Sequence, residues 1–198
     1  MNRTEHRRWL AEQAARCMHE SAIDDPMQAL RRVLRRLGAS GDRRNWPDAA
    51  QVRAALRDYQ RLFRDPRRGT QLETRRLAAF EAMRFLAAFR PYLVGAVLEG
   101  TADTHSPVQL HLHDDDVETI PAFLREHGIR HRVGERHLHL LPHRPQAVPV
   151  ITLEADGIGF ELWLLPRASE RQAPLESDGR TPMQRVGVAR VMQLDLEG

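Results

Sequence analysis

The spacing of apolar residues changes once along the chain, at Arg90-Pro91, and this change constrains the fold more than any other feature. Before it, apolar residues recur at the spacing of amphipathic helices. After it, they form short runs or alternate with polar residues, which is typical of strands. The sequence therefore predicts an α+β chain in which a helical N-terminal half packs on a mixed β-sheet domain.

The chain divides into three predicted regions. An Arg-rich helical region covers 1–90, an α/β domain covers 91–166, and a loop-rich tail covers 167–198. The tail contains one expected short helix, near 186–194.

Helix limits are well marked in the first region. Asp25-Pro26 predicts a helix start, because an N-cap aspartate followed by proline is a start pattern, and Gly38 predicts its end. A later helix, over about 72–89, is apolar on much of its circumference. We expect it to be the most buried helix, through Leu77, Phe80, Met83, Phe85 and Leu86.

Strand patterns follow Pro91. In one of them Leu110 and Leu112 alternate with Gln109, His111 and His113, which predicts a half-buried strand with one polar, solvated face. Ala155-Asp156-Gly157 predicts a tight hairpin turn. The expected strands are 92–98, 108–112, 130–141, 148–154 and 157–165, with a helix over about 117–127.

Charge is distributed unevenly along the sequence. All 30 basic residues are arginine, which excludes mechanisms that need a lysine, such as a P-loop or a Schiff base. Residues 1–92 contain 20 Arg and 11 acidic residues, whereas residues 93–198 contain 10 Arg and 16 acidic residues. We interpret this contrast first as attraction between the two halves.

Nucleic-acid binding is the alternative interpretation of the basic half. Two groups of arginines lie at helical spacing, but no aromatic residues are interleaved with them to stack on bases. Nucleic acid is therefore a possible partner that we do not favour. The two groups are Arg31, Arg32, Arg35 and Arg36, and Arg53, Arg57, Arg61 and Arg64.

The single cysteine and the hydropathy pattern bear on location. Cys17 lies among apolar residues of the first predicted helix, which favours a buried thiol and a reducing compartment. No stretch approaches the ~18 apolar residues that suggest a membrane span. We expect a cytoplasmic protein with no membrane partner.

The segment LVGAVLEGTADTHSPVQL, residues 93–110, has the order apolar strand, glycine turn, short helix, serine and second strand. With FELW at 160–163 as a third strand, it resembles the signature of the polymerase-beta-type nucleotidyltransferase superfamily, in the form of a degenerate bacterial member. The resemblance covers about 75 residues. It implies a nucleotidyltransferase-like α/β domain in which Glu161 is the remaining catalytic carboxylate. We expect Val94 and Leu110 on neighbouring central strands, with Glu161 facing Gln109 from a third strand. It also implies nucleotide-binding positions at Gly95, Ala96, Gly100, Thr101, Ser106, Gln109 and His111.

Three positions depart from this signature. Pro107 and Gln109 stand where the two metal-binding carboxylates are expected, and Ala96 stands where the turn would have serine. Because Mg²⁺ prefers anionic oxygen ligands, we expect the two-metal chemistry to be lost. The cofactor is unknown, and would be Mg²⁺ only if the protein is active. The candidate metal ligands are Glu161 and His111.

Three functional hypotheses follow. The preferred one is nucleotide binding with little or no catalysis. The second is an active metal-dependent nucleotidyltransferase in which Glu99 or Asp103 assists Glu161. The third is a regulatory protein whose basic helices bind nucleic acid or a partner. A zinc site would need the pairs His111/His113 and His137/His139 on adjacent strands, and we favour a solvated sheet face instead.

Overall fold

The computed structural model describes residues 2–21, 23, 25–38, 45–62, 67–142 and 144–194. The predicted α+β class is confirmed, because helices precede a five-stranded mixed sheet. No helix in the described ranges is long and apolar enough to cross a membrane. The helices are α1 (Arg3–Ser21), α2 (Pro26–Arg36), α3 (Ala49–Leu62), α4 (Arg67–Phe85), α5 (Gly95–Glu99), α6 (Thr119–Glu126) and α7 (Val188–Val191). The strands are β1 (Tyr92–Val94), β2 (Val108–His113), β3 (Arg132–Leu141), β4 (Arg144–Ala155) and β5 (Ile158–Leu165).

The chain forms two compact units, Met1–Asp65 and Pro66–Gly198. In the first, α1, α2 and α3 share one apolar core, against which Cys17 is partly buried. The Asp25 carboxylate accepts a hydrogen bond from the Met27 amide at 2.8 Å, and Gly38 follows α2 with a positive φ of 60°. Both predicted limits of α2 are therefore confirmed.

The second unit is built on the sheet, with strand order β1-β2-β5-β4-β3. β2 and β5 are parallel, and the other neighbouring strands are antiparallel. Asp156 and Gly157, with φ values of 51° and 75°, form the turn between β4 and β5. This geometry confirms the predicted hairpin, since such turns need two residues with positive φ.

One face of the sheet is covered by α4 and α6. Met83 of α4, Leu86 just after this helix and Leu124 of α6 belong to the same buried cluster as Leu110 and Leu162 of the sheet. The expectation that Leu77 and Phe85 are among the buried residues of this helix is wrong. Leu77 and Phe85 are 52% and 42% exposed, because only one side of this helix faces the strands.

The other face is partly covered by the segment 166–186, which we call the C-terminal segment. Leu93 of β1 and Val186 exchange two backbone hydrogen bonds, at 2.9 and 3.1 Å. The Arg185 guanidinium lies 4.5 Å from the centre of the Tyr92 ring, and Met183 packs against the small buried cluster that includes Leu138 and Leu165. A helix follows at Val188–Val191, inside the range predicted for it.

The compact units divide the chain at 65/66, whereas the predicted regions divide it at 90/91. The difference is α4, which packs on the sheet. Residues 1–65 contain 14 Arg and 9 acidic residues, and residues 66–198 contain 16 Arg and 18 acidic residues. The charge contrast between the units is therefore smaller than between the predicted halves, and the docking of one half on the other stays a prediction.

Candidate functional site

The turn after β1 is shaped by a glycine. Gly95 has a φ of 70°, a conformation that other residues adopt at a cost. A Cβ atom at this position would lie 2.0 Å from Oε1 of Gln109, which is too close. The Gln109 carboxamide therefore lies directly against the turn that begins α5.

Gln109 joins this turn to the third strand of the signature. β2 and β5 pair in parallel with Gln109 opposite Glu161, and Nε2 of Gln109 donates to Oε2 of Glu161 at 3.0 Å. This geometry confirms the expectation that β1 and β2 are neighbours and that Glu161 faces Gln109 from a third strand. β1 is, however, the edge strand of the sheet rather than a central one.

A basic side chain reaches the same carboxylate from β3, the strand at the other edge of the sheet. Nη2 of Arg136, on β3, lies 3.9 Å from Oε1 of Glu161. Thr152 is opposite both Glu161 and Arg132, so one row of paired residues crosses four strands from Gln109 to Arg132. The sequence analysis did not identify Arg136, Thr152 or Arg132, although the alternation of residues in β3 and β4 indicates that these side chains share one face.

Gly100 and Thr101 lie at the opposite end of α5 from Gly95. Gly100 has a φ of 73°, and the amides of Thr101 and Ala102 both donate to the Ala96 carbonyl, at 2.9 and 3.1 Å. These residues close the C-terminus of the short helix. Of the glycine-turn residues predicted to bind nucleotide, Gly95 thus lies against Gln109 and Ala96 follows it in α5, while Gly100 and Thr101 lie at the other end of this helix.

Ser106 belongs to a closed network in the loop before β2. Its hydroxyl donates to Oδ1 of Asp103 at 2.9 Å and accepts from the Asp103 amide at 3.0 Å. The same Oδ1 atom accepts from the amides of His105 and Ser106. Burial opposes ionisation of Asp103, but these hydrogen bonds outweigh it and lower the pKa of the carboxyl. Arg75 of α4 anchors the loop by donating to the Ser106 carbonyl at 3.0 Å.

His111 and His113 are buried, so the prediction of a solvated face at these positions is wrong. Each is 1% exposed. Nδ1 of His113 lies 2.9 Å from the Arg90 carbonyl, but no described residue bonds to its Nε2 atom or to either ring nitrogen of His111. Burial lowers the pKa of His111 to about 3, with smaller effects of the same sign from His113 and Arg185. The C-terminal segment covers this part of the sheet.

The zinc alternative is also wrong as stated. His137 and His139 lie on β3, which is separated from the strand of His111 and His113 by β5 and β4. The pairs are therefore not on adjacent strands. In the described part of the chain, no group of three or more His, Cys, Asp or Glu side chains is placed to hold a metal ion.

The donor set beside Gly95 does not fit the two Mg²⁺ ions that the resemblance implies. Pro107 offers no side-chain ligand, and Gln109 offers only a neutral carboxamide oxygen, which lies against the Gly95 turn. One carboxylate then remains where hard divalent ions need several anionic oxygens. Asp103 is held in its loop network, and Glu99 ends α5, on the Gly100 side.

The arginines proposed for nucleic acid lie in the first unit. Arg31, Arg32, Arg35 and Arg36 are all exposed on α2. On α3, Arg57 is exposed and Arg53 is half-buried, while Arg64 and the side chain of Arg61 lie outside the described residues. Nucleic-acid binding by these side chains stays a prediction.

A cavity of about 710 Å³ also lies in the first unit, between α1 and α3. Arginines and acidic residues both line it, among them Arg3, Arg7, Glu12 and Asp58. None of the predicted site residues lines this cavity. Its size alone assigns no chemistry, and the candidate site remains the row that begins at Gln109.

No family model matches the sequence, and no curated protein matches it either.

Proposed function

We propose that this protein binds nucleotides through a nucleotidyltransferase-like sheet and transfers nucleotidyl groups slowly or not at all. The hydrogen bond between Gln109 and Glu161, beside the Gly95 turn, carries the proposal. The cytoplasm is the proposed location, in keeping with the half-buried thiol of Cys17.

The strand arrangement supports the nucleotide-binding part. β1, the Gly95 turn, β2 and the Glu161 strand meet in the order that the resemblance implies. Gly95 brings backbone close to the position where a phosphate would be held, and Glu161 faces the same place from β5. Backbone donors at such a turn survive the loss of the family's side chains.

The side chains support the non-catalytic part. Phosphoryl transfer depends on cations that neutralise charge accumulating on the phosphate oxygens. A neutral carboxamide at Gln109 and a proline at 107 leave Glu161 as the single anionic ligand of the former metal positions. The active alternative needs Asp103 as well, and its Oδ1 atom already accepts three hydrogen bonds within its own loop.

Transfer and binding are tested together in three proteins. Wild type, Pro107→Asp/Gln109→Asp and Glu161→Ala are incubated with each labelled nucleoside triphosphate and Mg²⁺, and self-modification is counted as transfer. Equilibrium dialysis measures binding in parallel. We expect wild type to bind a nucleotide and to transfer no label above background.

Two results would contradict this proposal. Metal-dependent transfer by wild type that disappears in Glu161→Ala would favour the active enzyme. Failure of wild type to bind any of the labelled nucleoside triphosphates would refute the binding function. Gln146→Asp, which adds the same side chain on β4 opposite Leu138, is the matched control for the new acid at 109.

A further inference from the structure

The Glu161 carboxylate has two partners, Gln109 and Arg136, and its interaction with Arg136 is the weaker one. The carboxylate accepts from Gln109 at 3.0 Å, whereas the Arg136 guanidinium lies 3.9 Å away. The Arg136 side chain is 58% exposed and that of Glu161 is 19% exposed. An ion pair at this distance, with its guanidinium largely in solvent, is weak, so Arg136 can change partners at little cost.

Strand register puts a second arginine on the same face. Arg132 is opposite Thr152, and Thr152 is opposite Glu161. Arg136 is opposite Val148, four residues along β3, and paired residues point to one side of a sheet. Glu135 has the opposite parity, so the acid next to Arg136 points away from this face.

The charges of this row favour an anion. Together with Arg136, which points to the same face, the row has two guanidinium groups, one carboxylate and one neutral carboxamide, at Arg132, Arg136, Glu161 and Gln109. A divalent cation would meet net positive charge there, whereas a phosphate group would be attracted. Guanidinium groups bind phosphate oxygens with two parallel hydrogen bonds, which suits them to this ligand.

We propose that Arg136, assisted by Arg132, binds the phosphate groups of the nucleotide directly, so that binding needs no divalent cation. This inference rests on the proposed function and specifies its ligand as a nucleoside di- or triphosphate. On binding, the Arg136 guanidinium leaves Glu161 and donates to phosphate oxygens. Glu161 keeps its hydrogen bond from Gln109.

The role of Glu161 distinguishes this arrangement from a metal site. If Glu161 held a cation for the phosphates, its removal would weaken binding. In the proposed site Glu161 competes with phosphate for Arg136, so Glu161→Gln should strengthen triphosphate binding. The substituted amide still has polar atoms for Gln109, which makes the change conservative.

Isothermal titration with ATP, GTP, CTP and UTP, and with their nucleosides, tests the inference in EDTA and in Mg²⁺. For the triphosphate that binds wild type, we expect Kd values within about twofold in the two buffers. Arg136→Gln should weaken triphosphate binding about tenfold and leave the nucleoside unchanged. Arg125→Gln is the matched control, because α6 packs on the opposite face of the sheet.

The outcomes separate the inference from the function on which it rests. Triphosphate binding that requires Mg²⁺, that is unchanged in Arg136→Gln, or that is weakened by Glu161→Gln would overturn the role of Arg136 and leave nucleotide binding intact. If wild type binds none of the eight probes, both proposals fail. Circular dichroism of each variant excludes unfolding as the cause of lost binding.

Discussion

The two faces of the sheet differ in what covers them and in what they hold. One face is packed by α4 and α6 with aliphatic side chains such as Leu110 and Leu162. The other carries the polar row from Gln109 to Arg132 and the buried ring of His111, and irregular chain covers part of it. We infer that the first face supplies most of the stability and that the uncovered part of the second face can hold a ligand.

Leu110→Ala should produce the largest effect and tests the helix-covered face. Leu110 is fully buried, so truncation removes apolar contacts and leaves a cavity, at a cost of about 2–5 kcal/mol. Urea unfolding followed by circular dichroism measures the loss. Leu77→Ala, at a site 52% exposed on α4, is the control and should cost less than about 1 kcal/mol. Similar losses at the two sites would contradict the division of roles between the faces.

Gly95→Ala is expected to cost about 1–3 kcal/mol on the polar face. The positive φ disfavours alanine, and the added Cβ would displace the Gln109 amide. Adding Gln109→Ala should recover the part of the loss due to the clash and leave the part due to backbone strain. Gly134→Ala, which has ordinary φ and no neighbouring atom within 4 Å, is the control for thermal unfolding. Unfolding midpoints that are equal for Gly95→Ala and Gly134→Ala would show that the turn tolerates a side chain.

The sequence predicts the parts of the fold that local chemistry determines. An N-cap, a proline and a glycine delimit α2, and Asp156-Gly157 makes the last hairpin, because each acts through its own backbone. The facing of Gln109 and Glu161 also follows from sequence, since side-chain parity and the order of the signature determine it.

Contacts made by distant or irregular chain could not be predicted in this way. The C-terminal segment has no hydrophobic period, so alternation in β2 indicated a solvated face for His111, although this face is covered. Arg136 reaches Glu161 across β4, and pairing of β4 with both β3 and β5 is a property of the whole sheet. The apolar spacing of α4 predicted a helix but not which of its sides meets the strands, which is why Leu77 was wrongly predicted to be buried.

Leu110 and His111 are adjacent on β2 and face opposite sides of the sheet. Replacing His111 therefore tests the covered part of the polar face, as Leu110→Ala tests the helix-covered face. The pKa of His111 is about 3 in the folded chain and 6.5 when unperturbed. Between these values the unfolded state binds the extra proton. Stability from the neutral ring is therefore complete above pH 6.5 and is lost as the pH falls toward 3, by about 1 kcal/mol per pH unit.

His111→Leu should therefore make unfolding less sensitive to acid. At pH 7 it should change the free energy of unfolding by less than about 1 kcal/mol, because the loss of the ring's packing is offset by the removal of two buried ring nitrogens without described partners. Urea titrations at pH 7, 6 and 5 measure both quantities. His111→Phe, which keeps a ring facing Trp163 at the present 6.2 Å separation, should behave alike if protonation is the cause. The pKa of His113 is also lowered, first by burial, so part of the acid sensitivity should remain in both variants. An undiminished pH slope in both would mean that His111 takes up its proton in the folded state, and that the C-terminal segment leaves this face open to water.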